Sequence, residues 1–136
     1  MITAKFKDQL EAASKLIEIL PKKELVDKKT IVVCMSLESV ILTDAVCRSL
    51  NLSYEMLFSE PIPAPNNSEC DVAIVSETED IVLNDKLIKA FNISYDYIYG
   101  EAHRKYEEKI LKNVYKYRKG NLIGELKDKN ILLIDE

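Results

Sequence analysis

The tightest constraint on the fold is the run Ile131-Leu132-Leu133-Ile134, which passes straight into Asp135 and Glu136. An unbroken apolar run this short, bounded by polar residues, fits a strand covered on both faces, as in the middle of a parallel sheet. The two acids then stand at the carboxyl edge of the sheet. Open α/β sheets bind their ligands outside that edge, so Asp135 and Glu136 are candidates for holding a polyol or a metal. Two further runs, at 30–35 and 71–75, have strand length and are rich in β-branched residues, and helical spacings lie between the runs. The alternation predicts a three-layer α/β domain: a mainly parallel sheet containing residues 31–35, 71–75 and 130–134, with helices on both faces.

Along the chain, Phe6, Leu10, Ala13, Leu16, Ile17 and Leu20 recur at steps of three and four, making one face of a helix apolar, and Pro21 ends it. Residues 22–29 read as a charged connector. After the run at 30–35, Ser36, Leu37, Glu38 and Ser39 supply a turn and a cap, and Val40, Ile41, Leu42, Ala45, Val46 and Leu50 begin a second helix. A strand at 54–58 would be reached by a parallel crossover. Pro61, Pro63 and Pro65, then Asn66-Asn67-Ser68, predict a surface excursion over 59–70, because proline has no amide hydrogen to give a sheet. The strand at 71–75 follows, with 81–83 beside it across the acidic turn 77–80, and Asn84 caps a short helix to Phe91. The longest helical pattern covers 95–119. Tyr99, Ala102, Tyr106, Ile110, Val114 and Tyr117 step along one face, Glu101 and Glu108 stand four residues ahead of Lys105 and Lys112, and Gly120 closes the helix.

A chain of 136 residues suits one domain. With 19 basic and 23 acidic residues its net charge is −4, which offers no general attraction to nucleic acid or anionic lipid. The cations between Arg104 and Lys119 lie among tyrosines, as they do on nucleic-acid surfaces, yet the tyrosines fall at helical spacing and Glu101, Glu107 and Glu108 dilute the charge. Packing is therefore the reading, with no nucleic-acid partner. No stretch approaches 18 apolar residues and the start is not a secretory signal, so a cytoplasmic protein with no membrane partner is expected. Cys34, Cys47 and Cys70 fit no zinc spacing and are expected as buried thiols. His103, the one histidine, is expected on a helix surface, which argues against histidine-based catalysis, and no protein metal site follows from the residues alone.

Several local words, in this order, resemble the small type I phosphoribosyltransferase domains of bacteria. Phe6-Lys7-Asp8-Gln9 with Ala12 and Leu16 is similar to that family's opening helix. The strand at 31–35, the loop Ser36, Leu37, Glu38, Ser39 and the helix from Val40 are similar to its strand, pyrophosphate loop and helix. Residues 64–69 leading into Ala73-Ile74-Val75 are similar to an Asn-Pro-Glu segment before a strand. Tyr115-Lys116-Tyr117-Arg118, a short hairpin around Gly124, and Ile131 to Glu136 complete the family order.

The resemblance implies that Asp135 and Glu136 bind the ribose hydroxyls of phosphoribosyl pyrophosphate, directly or through Mg²⁺, while the amides of residues 36–39 face the pyrophosphate. A base would be the acceptor, unidentified, and the resemblance leaves a homodimer open. Leu37 and Glu38 depart from the pattern, since they stand where the family carries Arg and Gly. The family's Thr- and Gly-rich phosphate turn would have to start at 137, so the domain is expected to be incomplete at its carboxyl end and inactive in this form. The alternative is a non-catalytic relative serving as a binding or protein-interaction module. A flavodoxin-like or receiver-like domain would show an acid cluster after its first strand, where Ser36 follows Met35 here.

Overall fold

The computed structural model describes residues 6–135. In chain order the elements are α1 (Gln9–Ile19), α2 (Lys22–Asp27), β1 (Ile31–Cys34), α3 (Val40–Leu50), β2 (Tyr54–Met56), β3 (Ser59–Ala64), β4 (Asn67–Ser76), β5 (Ile81–Leu83), α4 (Asp85–Ala90), α5 (Tyr95–Lys105), a π-helical turn (Tyr106–Ile110), α6 (Leu111–Arg118) and β6 (Ile131–Ile134). They form an α/β fold divided into two compact units, one from the segments up to Leu57 and from Gly124 onward, the other Phe58–Ile123.

The first unit is a parallel sheet in the order β2-β1-β6. Val32 lies opposite Tyr54 on one side of β1, and Ile31 to Cys34 lie opposite Ile131 to Ile134 on the other. Helix α1 begins where the Asp8 carboxylate accepts the Glu11 amide at 2.8 Å, satisfying one of the four amides a helix start leaves open. It packs on α3. Ala13, Leu25, Val32, Leu42, Val46, Cys47, Leu50 and Ile134 close into one core, and burying each larger aliphatic side chain among them contributes about 1.5–3 kcal/mol. Residues 22–29 are more than a connector. Pro21 starts α2 without needing an amide partner, and Leu25 gives that short helix a buried anchor.

Strand β6 is parallel, as its apolar run suggests, but it lies at the edge of its sheet, and Leu133 is 61% exposed. The reason is pleating. Leu132 and Ile134 point into the core, and Leu133 between them points to the other face. Residues 71–75 also depart from expectation. They belong to β4 of a separate antiparallel sheet, order β3-β4-β5. The connections decide this: tight turns at 65–66 and 77–80 bring the neighbouring strands straight back, which gives antiparallel pairs, whereas parallel pairing needs a long crossover.

The proline-rich stretch is a strand rather than an excursion. Pro61 and Pro63 lie in β3, an edge strand whose register slips around Pro63, so the missing amide hydrogens fall where an edge and a bulge tolerate them. In this second unit β3 and β4 carry the buried Ile62, Ala73 and Val75 on one face, and α5 with the π turn packs against these two strands. Asn84 caps α4 as expected, accepting the Leu87 amide at 3.3 Å.

Along the long helix the buried positions are Ile98, Ala102, Ile110 and Val114, with Tyr106 half-buried, while Tyr99 and Tyr117 are largely exposed. Those five positions are spaced by four residues. In an unbroken α-helix each such step drifts by about 40°, and the wider π turn in the middle takes up that drift. Acid–base pairing there is also redistributed: Arg104 bonds both Glu101 and Glu108, and His103, exposed as expected, bonds Glu107 at 3.1 Å. Residues 121–126 form neither helix nor strand, so no hairpin surrounds Gly124.

Candidate functional site

Because β1 and β6 are parallel neighbours in register, their carboxyl ends deliver Ser36 and Asp135 to the same place. The Ser36 Oγ donates to Asp135 Oδ1 at 2.8 Å. Behind it the loop is closely bonded. Ser36 and Ser39 hydroxyls lie 3.0 Å apart, Ser39 Oγ reaches the Ser36 carbonyl at 2.9 Å, and Cys34 Sγ lies 3.1 Å from both Ser39 Oγ and the Ser36 carbonyl. Ser39 and Cys34 are fully buried, whereas Ser36 is half-buried.

Proton counting fixes the direction of this chain. A carboxylate only accepts, so the single Ser36 hydroxyl proton goes to Asp135; with Ser39 donating to the Ser36 carbonyl, the Cys34 thiol is left to donate to that carbonyl or to Ser39 Oγ. Helix α3 continues the anchoring, since Thr43 donates its amide and its hydroxyl to the Ser39 carbonyl, both at 2.9 Å. From α1, the Gln9 side chain donates to the Glu38 carbonyl at 2.6 Å and accepts the Leu42 amide at 3.0 Å, so the loop is held from both sides. The side chains of Leu37 and Glu38 are exposed. Asp135 also borders a cavity of ≈ 570 Å³ whose apolar wall includes Phe6, Ala12, Leu16 and Leu42.

Ser36, Ser39 and Asp135 are thus brought together by backbone geometry. Glu136 lies outside the described residues. Among the described residues no group of three or more His, Cys, Asp or Glu side chains could hold a metal ion. Cys34 and Cys47 are buried and Cys70 is half-buried, all three as free thiols. Burial, and then the nearby Asp44 and Cys34, push the Cys47 thiol from 9.0 up to about 11, so it stays protonated and unreactive. No helix among the described residues is long and apolar enough to cross a membrane.

A second polar cluster sits in the other unit, around Glu77, which the sequence places in an acidic turn with nothing to mark it as buried. Its side chain is fully buried, accepts the amides of Phe58 at 3.0 Å and Ile123 at 2.6 Å, and pairs with Arg118. Arg118 stacks over Phe58 at 4.8 Å, and its Nε and Nη1 are buried with no hydrogen-bond partner. The pairing of Glu77 with Arg118, 41 positions away, is not legible in the sequence.

No family model matches this sequence, and no curated protein does. Among solved structures, the crystal structure of TT1426 from Thermus thermophilus is similar, with a TM-score of 0.78 and 23% identity over 98% of this chain. The chain spans 62% of that protein's length. At this identity the likeness establishes the α/β fold and nothing further.

Proposed function

We propose that the carboxyl ends of β1 and β6 form a phosphoribosyl site, in which Asp135, with Glu136, receives the ribose hydroxyls and residues 36–39 face the pyrophosphate of phosphoribosyl pyrophosphate. The observation that carries this reading is the 2.8 Å bond from Ser36 to Asp135, which brings an acid after one parallel strand against the loop and helix start after its neighbour. Such a juxtaposition suits a ligand that has a diol at one end and phosphate oxygens at the other. The reaction would be displacement of pyrophosphate from the anomeric carbon by a base. The Asp135 carboxylate is an oxygen donor of the kind a hard cation prefers, so it would hold Mg²⁺, which when bound would offset charge on the leaving group.

The loop chemistry weakens this site as a catalyst. Glu38 adds negative charge beside an anion, Leu37 supplies no cation, and Gly100, Gly120 and Gly124 all lie outside the 36–39 loop and the end of β6. Each absent charge-assisted phosphate contact removes roughly 1.5–3 kcal/mol, so two or three together lower affinity by several powers of ten. Titration with phosphoribosyl pyrophosphate and Mg²⁺ in a calorimeter, beside a pyrophosphate-release assay with common bases, tests the reading. Weak binding that is lost in Asp135→Ala, without turnover, is expected. Binding indifferent to Asp135→Ala, or none at millimolar ligand, refutes the site; micromolar binding with turnover refutes the weakness assigned to the loop. The second reading, a non-catalytic binding module, is favoured by Leu37 and Glu38 and agrees with weak binding without turnover.

A further inference from the structure

We infer that Ser36 is a two-position switch, which holds Asp135 in the unliganded protein and turns its hydroxyl to a phosphate oxygen when ligand arrives. The inference rests on the phosphoribosyl reading and adds to it a coupling between the two ends of the site.

Ser36 has one hydroxyl proton and gives it to Asp135 at 2.8 Å. A diol approaching Asp135 therefore meets a carboxylate oxygen already engaged, and must displace the serine or share it. On the other side, Ser36 opens the loop that faces the pyrophosphate. Serine occupies any of three staggered side-chain positions, so one rotation about its Cα–Cβ bond exchanges a carboxylate acceptor for a phosphate acceptor, with no covalent bond made or broken. The rotation is local. Ser39 and Cys34 are fully buried behind it, and Ser39 keeps its bond to the Ser36 carbonyl at 2.9 Å, so the backbone of the loop stays fixed while the hydroxyl turns.

A switch of this kind makes binding at the two ends interdependent. Phosphate oxygens that draw off the Ser36 hydroxyl release Asp135 for the diol, and by reciprocity a diol on Asp135 releases Ser36 for phosphate. The coupling is bounded by one hydrogen bond to a charged acceptor, roughly ten- to 150-fold in affinity.

Ribose 5-phosphate with Mg²⁺ is titrated into wild type, Ser36→Ala and Ser36→Thr, each with and without inorganic pyrophosphate. In wild type, pyrophosphate should raise ribose 5-phosphate affinity by at least about threefold and at most roughly 150-fold. In Ser36→Ala the sugar phosphate alone should bind at the raised level and pyrophosphate should add nothing, whereas Ser36→Thr, which keeps the hydroxyl, should restore the dependence. Amide exchange of residues 37–40 should be alike in all three proteins, because the Ser39 bond to the Ser36 carbonyl, and not the Ser36 hydroxyl, fixes the loop backbone. If Ser36→Ala keeps the wild-type dependence on pyrophosphate, or loses it only together with quickened exchange at 37–40, the switch is wrong while the site stands. If no protein binds ribose 5-phosphate, the phosphoribosyl reading fails and the switch falls with it.

Discussion

Replacing Glu77 by alanine removes the acceptor of two backbone amides, Phe58 and Ile123, and the counter-charge of Arg118, all inside the second unit. Two desolvated amides and a guanidinium with two already unpartnered nitrogens would then lack an acceptor. Breaking a buried pair by deleting one member costs about 3–5 kcal/mol, which is a large share of the 5–15 kcal/mol that stabilises an ordinary domain. Removing Arg118 at the same time should recover part of that, since no cation is left stranded. The double variant Glu77→Ala with Arg118→Met is therefore expected to be more stable than Glu77→Ala alone by about 1–3 kcal/mol, the penalty of one unpaired polar group. Urea unfolding of wild type, both single variants and the double variant measures the coupling. Residue-resolved amide exchange shows whether protection at Phe58 and Ile123 is lost. A Glu77→Ala loss below about 0.5 kcal/mol, within the range of ordinary surface substitutions, with both amides still protected, would refute the reasoning.

Alkaline stability should follow Cys47. The folded thiol titrates near 11 and the unfolded one near 9.0, so above pH 9 the unfolded state releases its proton first and stability falls with rising pH, by about 2 kcal/mol on passing 11. Tyr54, raised first by burial and then by Asp44, acts in the same direction. Urea midpoints from pH 8 to 10.5 should decline in wild type and decline less in Cys47→Ala; equal slopes would count against Cys47 as the cause. Gly120 has φ +89, and an added Cβ would lie 2.9 Å from the Tyr115 ring. Gly120→Ala should thus lower the thermal midpoint by several degrees, on about 1–2 kcal/mol of backbone strain, and an unchanged midpoint would show that the turn relaxes freely.

Local patterns in the sequence located most elements, because caps and periodicities act over a few residues: Asn84 and Gly120 mark helix ends where expected, whereas the first helix starts at Gln9 behind an Asp8 cap and not at Phe6. Partner choice was not local. Nothing in 71–75 tells whether its neighbours return by tight turns or by crossovers, and nothing in 131–134 tells an interior strand from an edge strand with Leu133 outward. The proline rule erred at Pro61 and Pro63 because it excludes central strands only, and β3 is an edge. At the site, the approach of Asp135 to residues 36–39 is expected from the family resemblance alone, since the pairing of β1 with β6 that produces it is again a choice of partner. The orientation of the Ser36 hydroxyl was not legible, since it depends on the proton inventory of three side chains folded against one another.

The two amides that Glu77 accepts belong to the first and last residues of the second unit, Phe58 and Ile123. The segment is consequently a long loop whose mouth is tied by one carboxylate. Closing a flexible loop of that length costs about 4 kcal/mol in chain entropy, and each doubling adds only about 0.6 kcal/mol. A tie at the mouth makes the closure nearly insensitive to what lies inside it, so turns such as 65–66 and 77–80 can gain or lose residues while entry and exit stay side by side. A segment built this way can be exchanged as a cassette, which leaves its mouth, rather than its interior, as the part that must be kept.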